Sequence, residues 1–387
     1  MKVCFITSSR ADYGLLYRLM KLFDKDKFFK FQCIATGSHL SKKFGYTYKD
    51  ILKDKIKIDH FVDIGVEKNS LETDIAKSLG SAISKISLKL KNLKSDLIIL
   101  LGDRYEIFAA CTAAYIHQIP ICHLHGGELT SGVLDDGFRH SISKMSNLHF
   151  VSHNKYKQRL IQLGEDKKNI YVVGGYGVDL INNISFKSKK KLEKEMNFKF
   201  GKNNLLVTYH PETIRGSTPV KDFQNILQGL DKLRNVNIIF TKANFDLKGN
   251  IINNMINNFV KKNKKNRIAF KSMGSINYYS TIKFVDAVVG NSSSGLLEVP
   301  SLKKITLNIG IRQKDRLKAL SVIDLPAKKN RIYTSLKKII YKKKKINQKI
   351  FENPYGNGKA SIKTFDIIKK LFKTKKNITK MKRFIDL

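Results

Sequence analysis

A chain of 387 residues, 42% of them hydrophobic, carries enough apolar material for two domains of ordinary size, which excludes a disordered or small disulfide-held protein. Its formal net charge of +41 raises the question of a nucleic-acid or membrane partner. The excess is nearly all lysine, in runs such as 187-KSKKKLEKE-195, 261-KKNKKNR-267 and 342-KKKKINQK-349 without interleaved aromatics, so it reads as solvated surface whose positive field favours a small anionic substrate, with neither nucleic acid nor membrane as partner.

Short apolar runs alternate with helical periodicities, the pattern of βαβ units around parallel sheets. Strands are predicted near 3-VCFITS-8, 30-KFQCIAT-36, 60-HFVDIG-65, 96-DLIILLGD-103, 119-IPICHLHG-126, 148-LHFVSH-153 and 170-IYVVGG-175. The first helix between them shows Leu15, Leu16, Leu19, Leu22 and Phe23 as one apolar stripe that must face a sheet. Gly174, Gly175 and Gly177 close this series and, with the lysine-rich stretch after Ile184, mark a hinge between a first domain of residues 1–175 and a second of residues 176–365. The second series runs 204-NLLVTYH-210, 237-NIIFTKA-243, 267-RIAFKS-272, 286-DAVVGNS-292 and 305-ITLNIG-310. The expected architecture is α/β: two doubly wound, Rossmann-type domains. Cys4, Cys33, Cys111 and Cys122 stand singly within these elements and read as reduced core thiols. No run of about 18 apolar residues occurs, and the apolar start of the chain is too short for a signal peptide, so a cytoplasmic location is expected.

Open parallel sheets bind ligands beyond the carboxyl ends of their strands, and two such domains facing one another would enclose the active site in the cleft between them. The polar residues directly after strands are therefore the candidates: Arg10, Asp103, Arg104, His125 and Glu128 in the first half, and His210, Asn244, Ser292 and Arg312 in the second. In 290-GNSSSGLLEVPSL-302 a strand runs into a helix start, where unpaired amides, the helix dipole and the hydroxyls of Ser292 and Ser293 suit a diphosphate, and Glu298 lies about a turn further on, within reach of a ribose. A plain serine N-cap would look the same. Arg312 and Arg316 follow the next strand and could neutralise phosphate, although Arg316 also suits the surface. His210, before Pro211, ends a strand and would point into the same cleft. No GxxxxGK[ST] loop, no GxGxxG at the first helix and no HExxH or Cys/His ligand set is present, so kinase, dehydrogenase and metal-dependent readings lose their basis, and neither a metal nor a cofactor is expected.

Carboxylates cluster instead, in 102-GDRYE-106, 123-HLHGGE-128 and 133-VLDDGFRHS-141. Asp135 could be only the cap of the helix that carries Arg139 and His140. Acids with interleaved histidines facing a phosphate site nonetheless suit proton transfer on a sugar with a nucleotide leaving group.

The stretches 7-TSSRADYG-14, 101-LGDRYEIFAA-110, 123-HLHGGE-128, 138-FRHSISKMSNLHF-150, 158-QRLIQLGE-165, 209-YHPET-213, 290-GNSSSGLLEVPSL-302, 312-RQKDR-316 and 321-SVIDLP-326 resemble, in order and over nearly the whole chain, the hydrolysing branch of the UDP-N-acetylglucosamine 2-epimerases. The resemblance implies a GT-B-like pair of Rossmann domains, UDP held mainly by the second, and a C-terminal helix, within residues 366–387 or starting slightly earlier, packing back on the first. It implies elimination of UDP and the carbon-2 proton to 2-acetamidoglucal, then hydration to N-acetylmannosamine, which feeds sialic acid synthesis. It carries Arg10, Arg104, His210, Asn244, Ser292, Ser293, Glu298 and Arg312 over as nucleotide contacts, with Gly295, Arg139, His140 and Arg316 as further contact candidates. Asp103, Glu128 and Asp135 fall to acid–base work. Non-hydrolysing relatives have Glu where this chain has His125, so either His125 or Glu128 takes the proton transfer, and Asp135 and Asp136 compete for one aspartate position. Relatives are dimers or tetramers. The alternatives are a sister hydrolysing epimerase of a UDP- or GDP-linked 2,4-diacetamido-trideoxy sugar, as in legionaminic acid synthesis, and a GT-B glycosyltransferase; the stretch Asn291 to Pro326 tips the sequence reading toward UDP-N-acetylglucosamine.

Overall fold

The computed structural model describes residues 1–66, 72–130, 133–212, 218–243, 248–341, 347–374 and 382–386. The chain forms two compact units, one of Met1–Glu128, Asp135–Leu180 and Tyr355–Leu387, the other of Leu129–Leu134 and Ile181–Pro354.

In the first unit β1 (Lys2–Thr7), α1 (Arg10–Lys25), β2 (Lys30–Thr36), α2 (Tyr48–Lys53), β3 (His60–Val62), α3 (Glu72–Leu93), β4 (Leu97–Leu101), α4 (Tyr105–Ile116), β5 (Ile121–Leu124), α5 (Asp135–Met145), β6 (Leu148–Val151), α6 (Asn154–Gln162), β7 (Ile170–Val172) and α7 (Tyr176–Asn183) follow in order, α7 leading out of the unit. The strands make one parallel sheet in the order β3-β2-β1-β4-β5-β6-β7. Both faces are covered, and alternate residues of each strand serve opposite cores: Val3 and Phe5 join Leu16, Leu19 and Phe23 of α1, while Cys4 and Ile6 join Ile86 of α3 and Ala110 of α4. The predicted α1 stripe is buried at Leu16, Leu19 and Phe23, with Leu15 and Leu22 at its margin.

In the second unit α8 (Lys189–Met196), β8 (Asn203–Thr208), α9 (Pro219–Asp231), β9 (Val236–Thr241), α10 (Gly249–Lys261), β10 (Arg267–Phe270), α11 (Gly274–Phe284), β11 (Ala287–Gly290), α12 (Ser294–Leu297), β12 (Ile305–Ile309), β13 (Val322–Leu325) and α13 (Lys329–Tyr341) build a parallel sheet ordered β10-β9-β8-β11-β12-β13. Leu205, Val207, Phe240, Val289 and Leu307 from its strands pack with Phe223, Ile226 and Ile256 of α9 and α10. The edge strand β13 was not among the predicted strands: Asp324 interrupts its four residues, so it lacks the continuous apolar run that marks a central parallel strand.

The chain rejoins the first unit at Tyr355 and ends in α14 (Ala360–Lys373). The compact units divide after Leu180 and before Tyr355, a little away from the expected limits at 175 and 365. The reason is local bonding: the Tyr355 carbonyl accepts the Gly175 N–H at 2.7 Å and its hydroxyl meets that of Tyr156 at 3.0 Å. Helix α14 then packs on α1 and the loop after it, with Phe365 against Phe23 and Phe29 and Lys369 on Asp26 at 2.5 Å. Its fully buried Ile368 alone contributes about 2–3 kcal/mol. Asp179 of α7 accepts from Arg18 at 2.5 Å and from the Ser361 amide at 3.0 Å, so α1, α7 and the start of α14 share one buried carboxylate. Among the described residues no helix is long and apolar enough to cross a membrane.

Candidate active site

Strand order reverses between β1 and β4 in the first sheet and between β8 and β11 in the second, and a reversal opens a crevice at the carboxyl edge because the flanking loops run to opposite faces. Arg10 and Asp103 follow the two strands at the first reversal, His210 and Ser292 those at the second.

At the first reversal the turn after β1 is held by Asp12, an almost fully buried carboxylate. It accepts the hydroxyls of Thr7, Ser8 and Ser9 and the amides of Ser8 and Ser9, closing a capping box at the start of α1. Thr7 also meets His39 Nε2 at 3.0 Å, and His39 Nδ1 meets Thr47 at 2.8 Å. Burial lowers the His39 pKa, so the ring sits neutral in this network. Arg10, half-exposed, lies 3.6 Å from Asp50. Arg104 is clamped by the fully buried Glu106 at 3.1 Å, which leaves its side chain 31% exposed and aimed by a fixed counter-charge. Asp12 and Glu106 lie in stretches quoted above without a role of their own, and nothing in the sequence singles out His39.

Arg139 has a different place from the substrate contact expected of it. Its side chain is 1% exposed and donates to Asp103, to Asp136 at 2.6 Å and to the Glu128 carbonyl at 3.0 Å. A guanidinium spent on three internal acceptors organises the acids. Asp103 and Asp136 keep 25% and 30% of their side-chain surface, so both remain reachable. Asp136 also approaches His140 Nε2 at 3.6 Å, whereas Asp135 is the half-buried first residue of α5.

His125 and Glu128 form a buried pair, with Nδ1 of the ring 2.6 Å from the carboxylate and Ser152 donating to the same oxygen at 3.0 Å. His123 is locked between Ser143 at 3.0 Å and the Gly102 carbonyl at 2.8 Å, and burial pushes its pKa down to about 3. It therefore donates to Gly102 as a neutral ring and fixes the loop that presents Asp103.

In the second unit Asn291, fully buried, exchanges two hydrogen bonds of 2.8 Å with the backbone of His210 and accepts on its carbonyl from Arg312 at 3.2 Å and Gln313 at 3.0 Å. One asparagine thus sets the loops after β8, β11 and β12 together. Gly290 makes this possible: at φ +135° a Cβ would lie 1.8 Å from the Thr208 carbonyl oxygen. Glu212 accepts the Ile311 amide at 3.3 Å and steadies the loop carrying Arg312. Ser292 and Ser293 are half-buried, and Ser294 bonds Tyr278 at 2.6 Å. The helix expected after them is a single turn whose C-cap is the buried Glu298, too short to carry a long dipole. Gly295 lets α12 press against β12, where its carbonyl accepts from Thr306 at 2.8 Å. Arg316 donates to the Leu129 carbonyl and the Thr130 hydroxyl, each at 2.9 Å. Asn244 lies outside the described residues. Among the described residues no cluster of His, Cys, Asp or Glu has the arrangement of a metal site.

Two doubly wound sheets with acids at one reversal and a hydroxyl–arginine loop set at the other define a GT-B-like α/β enzyme fold. A UDP-N-acetylglucosamine 2-epimerase from Neisseria meningitidis, solved with UDP-GlcNAc bound, shares this fold at a TM-score of 0.78 and 19% identity, over 96% of this chain and all of that one. The chain belongs to the UDP-N-acetylglucosamine 2-epimerase family, whose model matches residues 21–369. It is 43% identical to the GDP/UDP-N,N'-diacetylbacillosamine 2-epimerase (hydrolyzing) of Campylobacter jejuni over 84% of each chain. To the polysialic acid biosynthesis protein P7 of Escherichia coli it is 36% identical, over 97% of this chain and 95% of that one.

Proposed function

We propose that the protein is a hydrolysing 2-epimerase of a nucleotide-diphospho-2-acetamido sugar, and that the sugar is a 2,4-diacetamido-trideoxy hexose of the diacetylbacillosamine type. The observation that carries the chemistry is the pair of reachable aspartates on one buried arginine beside the His125–Glu128 pair, a set of acids after the neighbouring strands β4 and β5. The choice of sugar is supported by the 43% identity to the Campylobacter enzyme. The similarity to the E. coli polysialic acid protein supports a second reading, UDP-N-acetylglucosamine to N-acetylmannosamine, toward which Asn291 to Pro326 leaned in the sequence.

In this reading Arg312, Ser292, Ser293 and His210 hold the diphosphate, Glu298 the ribose, and Arg10 and Arg104 add positive charge. A carboxylate, for which Asp103 has the exposure and the fixed orientation, removes the proton on carbon 2 while the carbon 1–oxygen bond to the nucleotide breaks. The electron pair of that carbon–hydrogen bond becomes the ring double bond of a 2-acetamidoglycal, and the nucleoside diphosphate leaves on its stabilised oxyanion. Water then adds its oxygen to carbon 1, and carbon 2 takes a proton from the opposite face, with Glu128 and the Asp135–Asp136 pair as the acid–base partners. Four buried free thiols fit a reducing cytoplasm, and a homo-oligomer fits the family. The test is incubation with UDP-N-acetylglucosamine and with UDP- and GDP-linked diacetylbacillosamine, the freed sugar being identified by NMR. Fastest release of the 2-epimer from a diacetamido donor is expected. Faster release from UDP-N-acetylglucosamine makes the second reading the right one, and no release from any donor refutes both.

A further inference from the structure

We infer that His125 is a positioning residue that ties the acid–base group Glu128 to the first turn of α7, the helix by which the chain leaves the first unit. The inference rests on the reading of Glu128 as an acid–base group.

The first amides of any helix lack partners within it. In α7 the N–H of Tyr176, the first helical residue, donates to Nε2 of His125 at 3.4 Å. A nitrogen that accepts carries no proton, so the proton of the neutral ring sits on Nδ1. Nδ1 lies 2.6 Å from Glu128 Oε1 and donates to it. The helix start therefore dictates the tautomer, and the tautomer dictates that Glu128 receives a hydrogen bond on a fixed side. Ser152 supplies the second bond to the same oxygen at 3.0 Å.

Three further observations fit a holding part rather than direct proton transfer by His125. Both ring nitrogens are engaged within the protein, and the residue is 8% exposed. The Tyr176 ring lies 5.4 Å away and walls one side of the imidazole. The backbone of His125 is left-handed, at φ 66°, a conformation costly for most side chains and held here by the surrounding structure.

Two substitutions separate the two bonds. In His125→Asn the side-chain amide lies where Nδ1 was, keeps a donor for Glu128, loses the contact to α7, and tolerates the left-handed backbone. In His125→Gln the longer amide reaches the Tyr176 N–H and the bond from the ring to Glu128 is lost, while that from Ser152 stays. The direct test is a long-range proton–nitrogen NMR spectrum of the full chain labelled on histidine, with the His125→Asn spectrum to assign the ring. A ring protonated on Nδ1 and bare on Nε2 is expected from the two contacts; a ring protonated on Nε2, or on both nitrogens, overturns the inference whatever the protein turns over. With a sugar nucleotide that is turned over, kcat should fall about 10- to 100-fold in His125→Gln with KM within about threefold, and several-fold less in His125→Asn. Equal losses in the two variants also overturn it. Absence of turnover in the unsubstituted protein counts against the reading of Glu128, while the spectrum still decides the bond.

Discussion

Replacing Arg139 by Met removes the cation on which the acids of the first unit are assembled while keeping most of the side-chain volume. Removing one partner of a buried ion pair costs about 3–5 kcal/mol, because the surviving charge is left without compensation in a poorly polarisable setting. Here the arginine is 1% exposed, but Asp103 and Asp136 are 25% and 30% exposed, so water recovers part of the loss. The expected destabilisation is therefore about 2–3 kcal/mol. Adding Asp136→Asn should recover about 1 kcal/mol, since one of two crowded carboxylates is then neutral. The chain has no tryptophan, so urea unfolding is followed by far-UV circular dichroism, and the shift is read on the first unit's transition because a two-unit chain need not unfold in one step. Turnover should be lost, since Asp103 is no longer aimed. An Arg139→Met protein within about 0.5 kcal/mol of its parent would refute the assignment of Arg139 as the organiser of the acids.

His123 makes stability depend on pH. Its folded pKa, about 3, lies below the ordinary 6.5, so between those values the unfolded chain binds a proton that the native one does not, and stability present in full above pH 6.5 is lost as pH falls toward 3. In His123→Gln the slope of stability against pH in this window should be shallower by about 1 kcal/mol per unit, and an unchanged slope contradicts the buried neutral ring. Gly290→Ala forces a Cβ against the Thr208 carbonyl at a φ that side chains avoid, and should cost at least about 3 kcal/mol or abolish soluble expression; a well-folded variant would show that the loop set by Asn291 relaxes freely. Arg312→Ala should weaken UDP binding by about 10- to 100-fold in calorimetry, and unchanged affinity removes Arg312 from the diphosphate site.

Central parallel strands, buried on both faces, announce themselves as unbroken apolar runs, which is why they and the α1 stripe could be read directly, whereas the short edge strand β13, with Asp324 inside its run, could not. The places of Asp103, His125, Glu128, His210 and Ser292 at the carboxyl edges of the sheets were legible, because a polar residue directly after such a run has few other places to be. What the sequence hid is direction. Arg139 on a polar helix reads as surface or as a substrate contact, and only its burial shows that it turns inward onto Asp103 and Asp136. Asp12, in the first turn of α1, and His39, in the segment after β2, meet at Thr7, a long-range convergence that no spacing encodes. Asn291 was read as part of a serine motif, yet its side chain joins two loops far apart in the chain.

The central claim is proton abstraction at carbon 2 followed by hydrolytic loss of the nucleotide. Turnover of an accepted sugar nucleotide in deuterium oxide, followed by proton NMR of the product and assay of the freed nucleoside diphosphate, tests it most directly. The account predicts a free 2-epimerised sugar carrying deuterium at carbon 2, one equivalent of diphosphate per sugar, and loss of both signals in Asp103→Asn with UDP affinity retained. A product that keeps its nucleotide, or a freed sugar that keeps the original hydrogen at carbon 2, would contradict it.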